Sequence, residues 1–398
     1  MTSNYKRIGD YIRLVDVRNK DLAVETLLGL SISKEFIPSV ANTVGTNMAN
    51  YKIIKKGQFA CSLMQVRRDK KIPVALQSDF DEAIISQAYP VFEVVDSESL
   101  DSEYLMMWMS RSEFDRHACF LAVGGVRGSL EWDDFCDMKL PIPSIEKQRD
   151  IVREYNVVND RISLNEKLTQ KLEESTQAIY KQWFVDFEFP ITKEYAESIS
   201  KPGLEGKPYK SSGGEMKHSE ELDKAMPTAW TIEPLKKLTD MKYGKMLSAD
   251  KFLASGYPVF SGYGIRGFYN QFMYENSEIL ILCRGVSGTG KVVMSPPKSY
   301  ITNLSIIAQI SDCKFKKGFV YYFLKNNNLR SLDSGSAQSM ITISDLEKVS
   351  VLCPCKELQG LFHNIFDFLV RYQRKVEEEN QYLEKFKALL LGRMFDLG

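Results

Sequence analysis

The feature that most constrains this chain is a long internal duplication. Asp134, Pro143, Glu146, Gln148, Leu172 and Phe184 each have an identical counterpart 211 positions later, at Asp345, Pro354, Glu357, Gln359, Leu383 and Phe395. A period this long does not build a solenoid of short repeats. It sets out one plan used twice, a globular unit followed by a single long helix. The first amphipathic stretch opens at Leu140-Pro141-Ile142-Pro143 and closes at Trp183-Phe184; the second opens at Val351-Leu352-Cys353-Pro354 and closes at Met394-Phe395.

Within the stretches the apolar positions step by threes and fours, as in a coiled-coil seam. The first runs through Ile151, Tyr155, Val158, Ile162, Leu168, Leu172, Ile179 and Trp183, with Asn165 and Ser175 filling gaps. The second runs through Leu358, Leu361, Ile365, Leu369, Tyr372, Val376, Leu383, Phe386, Leu390 and Met394. A helix of ~40 residues reaches ~60 Å and cannot bury its stripe alone. The simplest solution pairs the two helices antiparallel, with Ile151, Val158, Ile162, Leu172 and Ile179 facing Leu369, Val376, Leu383 and Leu390. The fold class expected is α+β: two mixed α/β domains joined by a long antiparallel two-helix coiled coil, with an internal pseudo-two-fold repeat. The boundaries expected are a first globular domain over residues 1–143, a central helix over 144–189, an extended linker over 190–229, a second domain over 230–353 and a C-terminal helix over 354–398.

Strand-like runs cover residues 51–54, 58–63 and 89–95 in the first unit, with one helical run over 102–116. In the second they cover 258–260, 278–283, 291–294 and 304–308, with a short helix over 319–326. Residues 190–227 are rich in Lys, Glu, Ser, Gly and Pro and read as a connector with little core of its own. A hydrophobic content of 44% suffices for two cores. No apolar run approaches the ~18–20 residues of a membrane span, and the polar first ten residues are unlike a signal peptide. Seven scattered cysteines suit reduced thiols in a cytoplasmic protein. Three histidines without a Cys-x-x-Cys pair give no zinc site.

Net charge is zero, but charge is segregated. Residues 34–78 carry eight Lys/Arg against Glu35 and Asp69, and residues 230–350 carry 15 Lys/Arg against nine acids. Such a distribution fits a face of each unit turned to a polyanion, and equally an ordinary surface scatter. The most basic window is residues 64–71, with Arg67, Arg68, Lys70 and Lys71. In the second unit Tyr263, Arg266, Arg284 and Lys291 stand on glycine-punctuated loops. Arginine reads guanine bidentately and lysine holds phosphate, so these side chains are the candidates for nucleic-acid contact.

Two glycine-rich segments imitate nucleotide sites. Gly285-Val286-Ser287-Gly288-Thr289-Gly290-Lys291 has the spacing of a phosphate-binding loop, but Val292 stands where a magnesium-binding hydroxyl is needed and Pro296-Pro297 denies a following helix. Gly262-Tyr263-Gly264-Ile265-Arg266-Gly267 has the spacing of a dinucleotide fingerprint but runs into strand-like sequence. Both read as hairpins, and the sequence holds no defensible active site.

With this architecture in hand, the chain resembles the specificity (S) subunits of type I restriction-modification systems over nearly its whole length. Residues 51–59 resemble a strand motif of the family's target recognition domains. Leu140-Pro141-Ile142-Pro143 with Glu146 and Gln148 resembles the start of its conserved helix, and Gln182-Trp183-Phe184-Val185-Asp186-Phe187 that helix's exit. Residues 208–216 resemble a connector of one branch, and Pro227-Thr228-Ala229-Trp230 the opening of the second recognition domain, which the first unit lacks. Residues 335–341 resemble the loop before the second helix; their counterparts are 124–130, where Arg127 replaces Gln338, and both join the DNA-binding candidates. The resemblance implies a non-catalytic subunit whose two target recognition domains read the halves of a bipartite, asymmetric double-stranded DNA target, with the helices as a ruler. It implies docking of two modification (methyltransferase) subunits and of restriction (endonuclease) subunits. S-adenosylmethionine, ATP and magnesium then belong to those partners, and this chain takes no cofactor and no membrane. Two rivals remain open: a nucleotide-binding enzyme, which tight nucleotide binding by the isolated chain would favour, and a coiled-coil scaffold without a nucleic-acid role, which absent DNA binding by the assembled complex would favour.

Overall fold

The computed structural model describes residues 5–39, 46–122, 128–262, 264–285, 288–333 and 340–393. It divides into two compact units, Met1–Asn165 with Glu377–Gly398, and Glu166–Val376. The division falls inside both long helices, Ile145–Tyr180 and Lys356–Arg393, so each unit owns one end of each helix.

In the first unit the central sheet has four antiparallel strands in the order Ile12–Val15, Val91–Val94, Phe59–Cys61 and Val74–Leu76. Alternate side chains of a strand point to opposite faces. Phe59, Cys61 and Phe92 accordingly join the core beneath helices Ser102–Met109 and Ser112–Leu121, while Ala60 and Val91 join a smaller cluster with Leu28, Ile54 and Ile85. Phe59 and Phe92 stack across neighbouring strands at 5.0 Å. The helical run expected over 102–116 is two helices, because Ser110 turns its hydroxyl back to the Met106 carbonyl (2.8 Å) and the chain turns at Arg111.

The second unit repeats this topology. Its sheet runs Thr239–Tyr243, Ser305–Ile310, Ile279–Leu282 and Val292–Met294, again all antiparallel. Ile279, Ile281, Ile306 and Ala308 face the large core; Leu280 and Ile307 face a second cluster with Phe260 and Ile301. Burial on both faces explains why Ile279-Leu280-Ile281-Leu282 is continuously apolar. In each unit an early strand pairs antiparallel with the last strand just before a long helix begins: Tyr5–Arg7 with Lys139–Pro141, and Thr231–Pro234 with Ser350–Cys353. Both glycine-rich lookalikes are hairpins. Ile281 pairs with Val292 across the first, and Tyr257–Ser261 pairs with Gly264–Tyr269 across the second.

The segment expected to be a linker with little core is a correction. It forms a helix, Lys193–Ser198, and a hairpin, Met216–Ser219 with Lys224–Pro227. Phe189, Ile191, Ala196, Tyr209 and Met226 are buried in the second unit's core, with Phe189 stacked on Tyr209 at 4.5 Å and on Trp230 at 5.3 Å. Its few aromatic residues anchor a segment whose charged residues face outward.

The helices pair as expected in direction. In the first unit the Tyr155 ring lies 5.7 Å from the Lys387 ammonium, Arg161 grips both Glu379 oxygens at 2.8 and 3.2 Å, and Asn165 donates to Asn380 at 2.8 Å. Rising numbers on one helix meet falling numbers on the other, which is antiparallel packing. In the second unit Tyr180, Trp183 and Phe184, the last two on a closing π-helical turn (Lys181–Val185), surround Phe362. Of the expected pairing residues, Val158, Leu369, Val376 and Leu390 are buried, whereas Ile151, Ile162, Leu172, Ile179 and Leu383 are half-buried. Leu168, Leu361 and Phe386 are exposed; the three-four spacing continues instead through Thr169, Phe362 and Lys387, with buried Asn165 and Thr176 in the stripe. Met394 and Phe395 lie outside the described residues. Polar seam residues cost stability and fix register. Leu172→Ala and Leu383→Ala are therefore expected to destabilise by about 1–2 kcal/mol each, less than the ~2–5 of a fully buried leucine. Thermal melts of the two variants check this.

Candidate nucleic-acid interface

In each unit one peptide hydrogen bond gathers two loops that lie far apart in sequence. In the first, the Leu130 amide donates to the Leu63 carbonyl at 2.9 Å; in the second, the Ile341 amide donates to the Cys283 carbonyl at 3.1 Å. Leu130 and Ile341 are 211 residues apart, so the duplication extends to this junction. Leu63 and Cys283 each follow an inner strand of their sheet, Phe59–Cys61 and Ile279–Leu282.

The first junction presents the basic window. Arg67 and Arg68 stand on a single helical turn, Val66–Asp69, flanked by Gln65 and Lys70 in the left-handed conformation (φ 65° and 53°). Non-glycine residues held at positive φ carry strain that the surroundings must hold in place. Here Val66 is buried beneath the turn and the Arg67 amide donates to the Gly128 carbonyl at 3.1 Å. Gly128 is required there: its φ is +64°, and an added Cβ would lie 2.4 Å from the Arg67 Cβ. Arg67, Arg68, Lys70 and Lys71 are all exposed, with Arg68 paired to Asp69 at 2.7 Å. Arg127 lies outside the described residues, next to this glycine.

Not every charge of the basic segment is displayed. Lys34 is buried, its ammonium bonded to the Asp115 carboxylate at 2.8 Å and to the Met109 carbonyl, and its backbone is left-handed at φ 68°. Burial pulls the Lys34 ammonium below the ordinary lysine value, opposed by its hydrogen bond to Asp115. Asp115 also accepts from the Ile72 amide at 3.1 Å and so ties the hairpin carrying Lys34 to the far end of the basic window. Lys52 is half-buried on the Tyr89 carbonyl, and Lys55 pairs with Glu82. The displayed charge of this segment is the arginine-lysine turn together with exposed Lys56.

The second junction brings more segments together. Arg284 and Lys291 are exposed on one hairpin, and Arg284 bridges Met340. The Cys283 amide reaches the Leu304 carbonyl at 3.0 Å, and a Cβ on Gly262 would lie 3.8 Å from Leu304. The tip of the 257–269 hairpin thus stands beside the strand end that carries Arg284. Arg266 is exposed farther along that hairpin, in a separate three-stranded sheet. Tyr263 and Gln338 lie outside the described residues. Sequence reasoning missed Lys245, exposed next to Gly244, which packs so closely on the chain that an added Cβ would lie 2.1 Å from the Thr302 carbonyl oxygen. The Lys245 amide donates to the Ile301 carbonyl (3.0 Å) and the Tyr243 hydroxyl accepts from the Ile343 amide (3.3 Å), which fixes this turn beside the same loops. The Gly244-Lys245 pair at a strand end was the available signal.

Among the described residues no group of three His, Cys, Asp or Glu side chains gathers to hold a metal ion, and no helix is long and apolar enough to cross a membrane. What each unit offers is a backbone-braced loop cluster bearing arginine and lysine. Residues 227–388 match the family described as the type I restriction modification DNA specificity domain. The HindI specificity subunit of Haemophilus influenzae is 23% identical over 87% of this chain and 87% of its own length. Residues 227–388 thus carry the DNA specificity domain, and over most of its length the chain is similar to type I restriction-modification specificity subunits. The MjaIX specificity subunit of Methanocaldococcus jannaschii is 21% identical over 76% of this chain and 70% of its own. The crystal structure of an S subunit from M. genitalium superposes with a TM-score of 0.58 at 15% identity, over 98% of this chain and 95% of that one, a likeness of fold. The shared S-subunit fold accounts for the two mixed α/β units and the long helices.

Proposed function

We propose that this chain is the DNA-recognition subunit of a type I restriction-modification complex, non-catalytic itself, with each unit reading one half of a bipartite asymmetric target. The observation that carries the reading is the repeated junction, in which matched backbone hydrogen bonds, Leu130 to Leu63 and Ile341 to Cys283, present differently charged loops from equivalent places in the two units. Exposed Arg67, Arg68, Arg266 and Arg284 supply guanidinium forks for guanine edges; Lys70, Lys71, Lys245 and Lys291 supply phosphate contacts. The dissimilar loops imply dissimilar half-sites.

In this reading the helix pair docks two modification subunits, and restriction subunits join that assembly in the cytoplasm. S-adenosylmethionine, ATP and magnesium serve the partners' chemistry, while this chain's residues bind and orient DNA. Co-expression with a methyltransferase partner, followed by mapping of methylated adenines in the host genome, tests it. Co-purification and a single bipartite motif are expected; a methyltransferase whose motif is unaffected by removing this chain would refute it.

A further inference from the structure

The duplicated glutamine does the same thing twice. Gln148 and Gln359 sit in the first turn of each long helix with relative exposures of 0% and 2%, unusual for so polar a side chain. The Gln148 Oε1 accepts from the Asp101 amide at 2.9 Å, and its Nε2 donates to the carbonyls of Pro143 at 2.9 Å and Ser99 at 3.1 Å. The Gln359 Oε1 accepts from the Lys316 amide at 3.1 Å, and its Nε2 donates to the Pro354 carbonyl at 2.9 Å. Asp101 and Lys316 are the residues that open helices Ser102–Met109 and Lys317–Asn326. Each amide therefore ties the first turn of a long helix to the beginning of a helix in its own recognition unit.

We infer that Gln148 and Gln359 are positioning residues that fix the angle at which each recognition unit leaves its long helix, and through it the spacing the complex accepts between half-sites. The inference rests on the DNA-recognition reading above. Two features set these glutamines apart from core polar groups that merely find partners. Two bonds recur in both units, from the helix-opening amide to Oε1 and from Nε2 to the proline carbonyl, although the helix-opening residue is an aspartate in one and a lysine in the other; the Ser99 bond is made by Gln148 alone. The bonds also join two rigid elements through one planar group, using donor and acceptor together, which no other side chain of this length provides. The helices cross closely there in the second unit: a Cβ on Gly318 would lie 2.7 Å from the Phe366 Cβ, so a small tilt has nowhere to relax.

The test keeps the shape of the side chain and removes its donor. Gln148→Glu leaves a carboxylate facing the Pro143 and Ser99 carbonyls, which accept but cannot donate. The full chain is expressed with its methyltransferase partner and methylated sites are mapped. The wild type is expected to methylate one motif with one spacer length. Gln148→Glu is expected to keep the base preference of both half-sites while methylation at spacers one base pair longer or shorter rises about tenfold. Unchanged spacer discrimination in an assembled Gln148→Glu complex would overturn the inference, as would a changed base preference, which would place the glutamine in support of the reading surface. Should that variant fail to accumulate, Gln359→Glu carries the same expectations; failure of both to fold would reduce the pair to core residues and overturn the positioning role. A wild-type complex that methylates no bipartite motif would instead defeat the DNA-recognition reading itself.

Discussion

Phe184→Ala should lower the stability of the second unit by about 3–5 kcal/mol. The Phe184 ring is buried where the closing turn of the first long helix meets the recognition core. It lies 5.1 Å from Phe319, 5.2 Å from Phe362 and 6.1 Å from Trp230, the first two edge-on. Its removal opens a cavity lined by four elements: the first helix, the second helix, the recognition-domain helix Lys317–Asn326 and the segment leading from the linker. Aromatic neighbours held by other rings collapse poorly into such a space, so the full cavity cost is expected. A denaturant melt followed by the near-ultraviolet signal of Trp183 and Trp230 measures it.

Asp115→Ala should cost about 3–5 kcal/mol in the first unit, because it leaves the Lys34 ammonium buried without its counter-charge and the Ile72 amide without its acceptor. The effect should depend on pH. Burial already draws the Lys34 value below that of the unfolded chain, so folding prefers the neutral amine, and losing the carboxylate strengthens that preference. A group of this kind penalises the fold most at low pH, where it must stay charged. The penalty fades as pH rises through its lowered folded-state value toward the unfolded value. The variant's deficit relative to the wild type should therefore be largest near neutrality and shrink in alkaline buffer. A deficit that grows with pH would contradict the assigned burial.

The long helices were legible because their apolar period is regular and stated twice. The register of the seam was less so. Leu168 and Thr169 are neighbours, and the leucine drew the stripe one residue away from the position that turns inward. Hydrophobicity alone cannot place a polar residue in a seam; the bond between Asn165 and Asn380 is visible only once both helices stand together. The linker misled for a related reason. Its average composition is that of a solvated connector, whereas its fold is decided by Ile191, Tyr209 and Met226, spaced without a helical or strand period and packed with Phe189 just before it. In the candidate interface, arginines and glycines marked the loops, but only tertiary contacts separate displayed charge from spent charge. Lys34 disappears into an ion pair with a residue distant in sequence, and Lys245 is presented only because Gly244 packs on Thr302.

The most direct test of the central claim, that two similar units read two half-sites independently, is methylation mapping of two mutant sets in one host. Arg67→Ala with Arg68→Ala alters the first unit; Arg266→Ala with Arg284→Ala alters the second. A lost base contact should cost ~1–3 kcal/mol and relax preference at its own position, while a lost phosphate contact should weaken binding to every sequence and reduce the salt slope by ~1. Each set is expected to change base preference in one half-site and leave the other as in the wild type. A set in one unit that rewrites both half-sites would contradict the account.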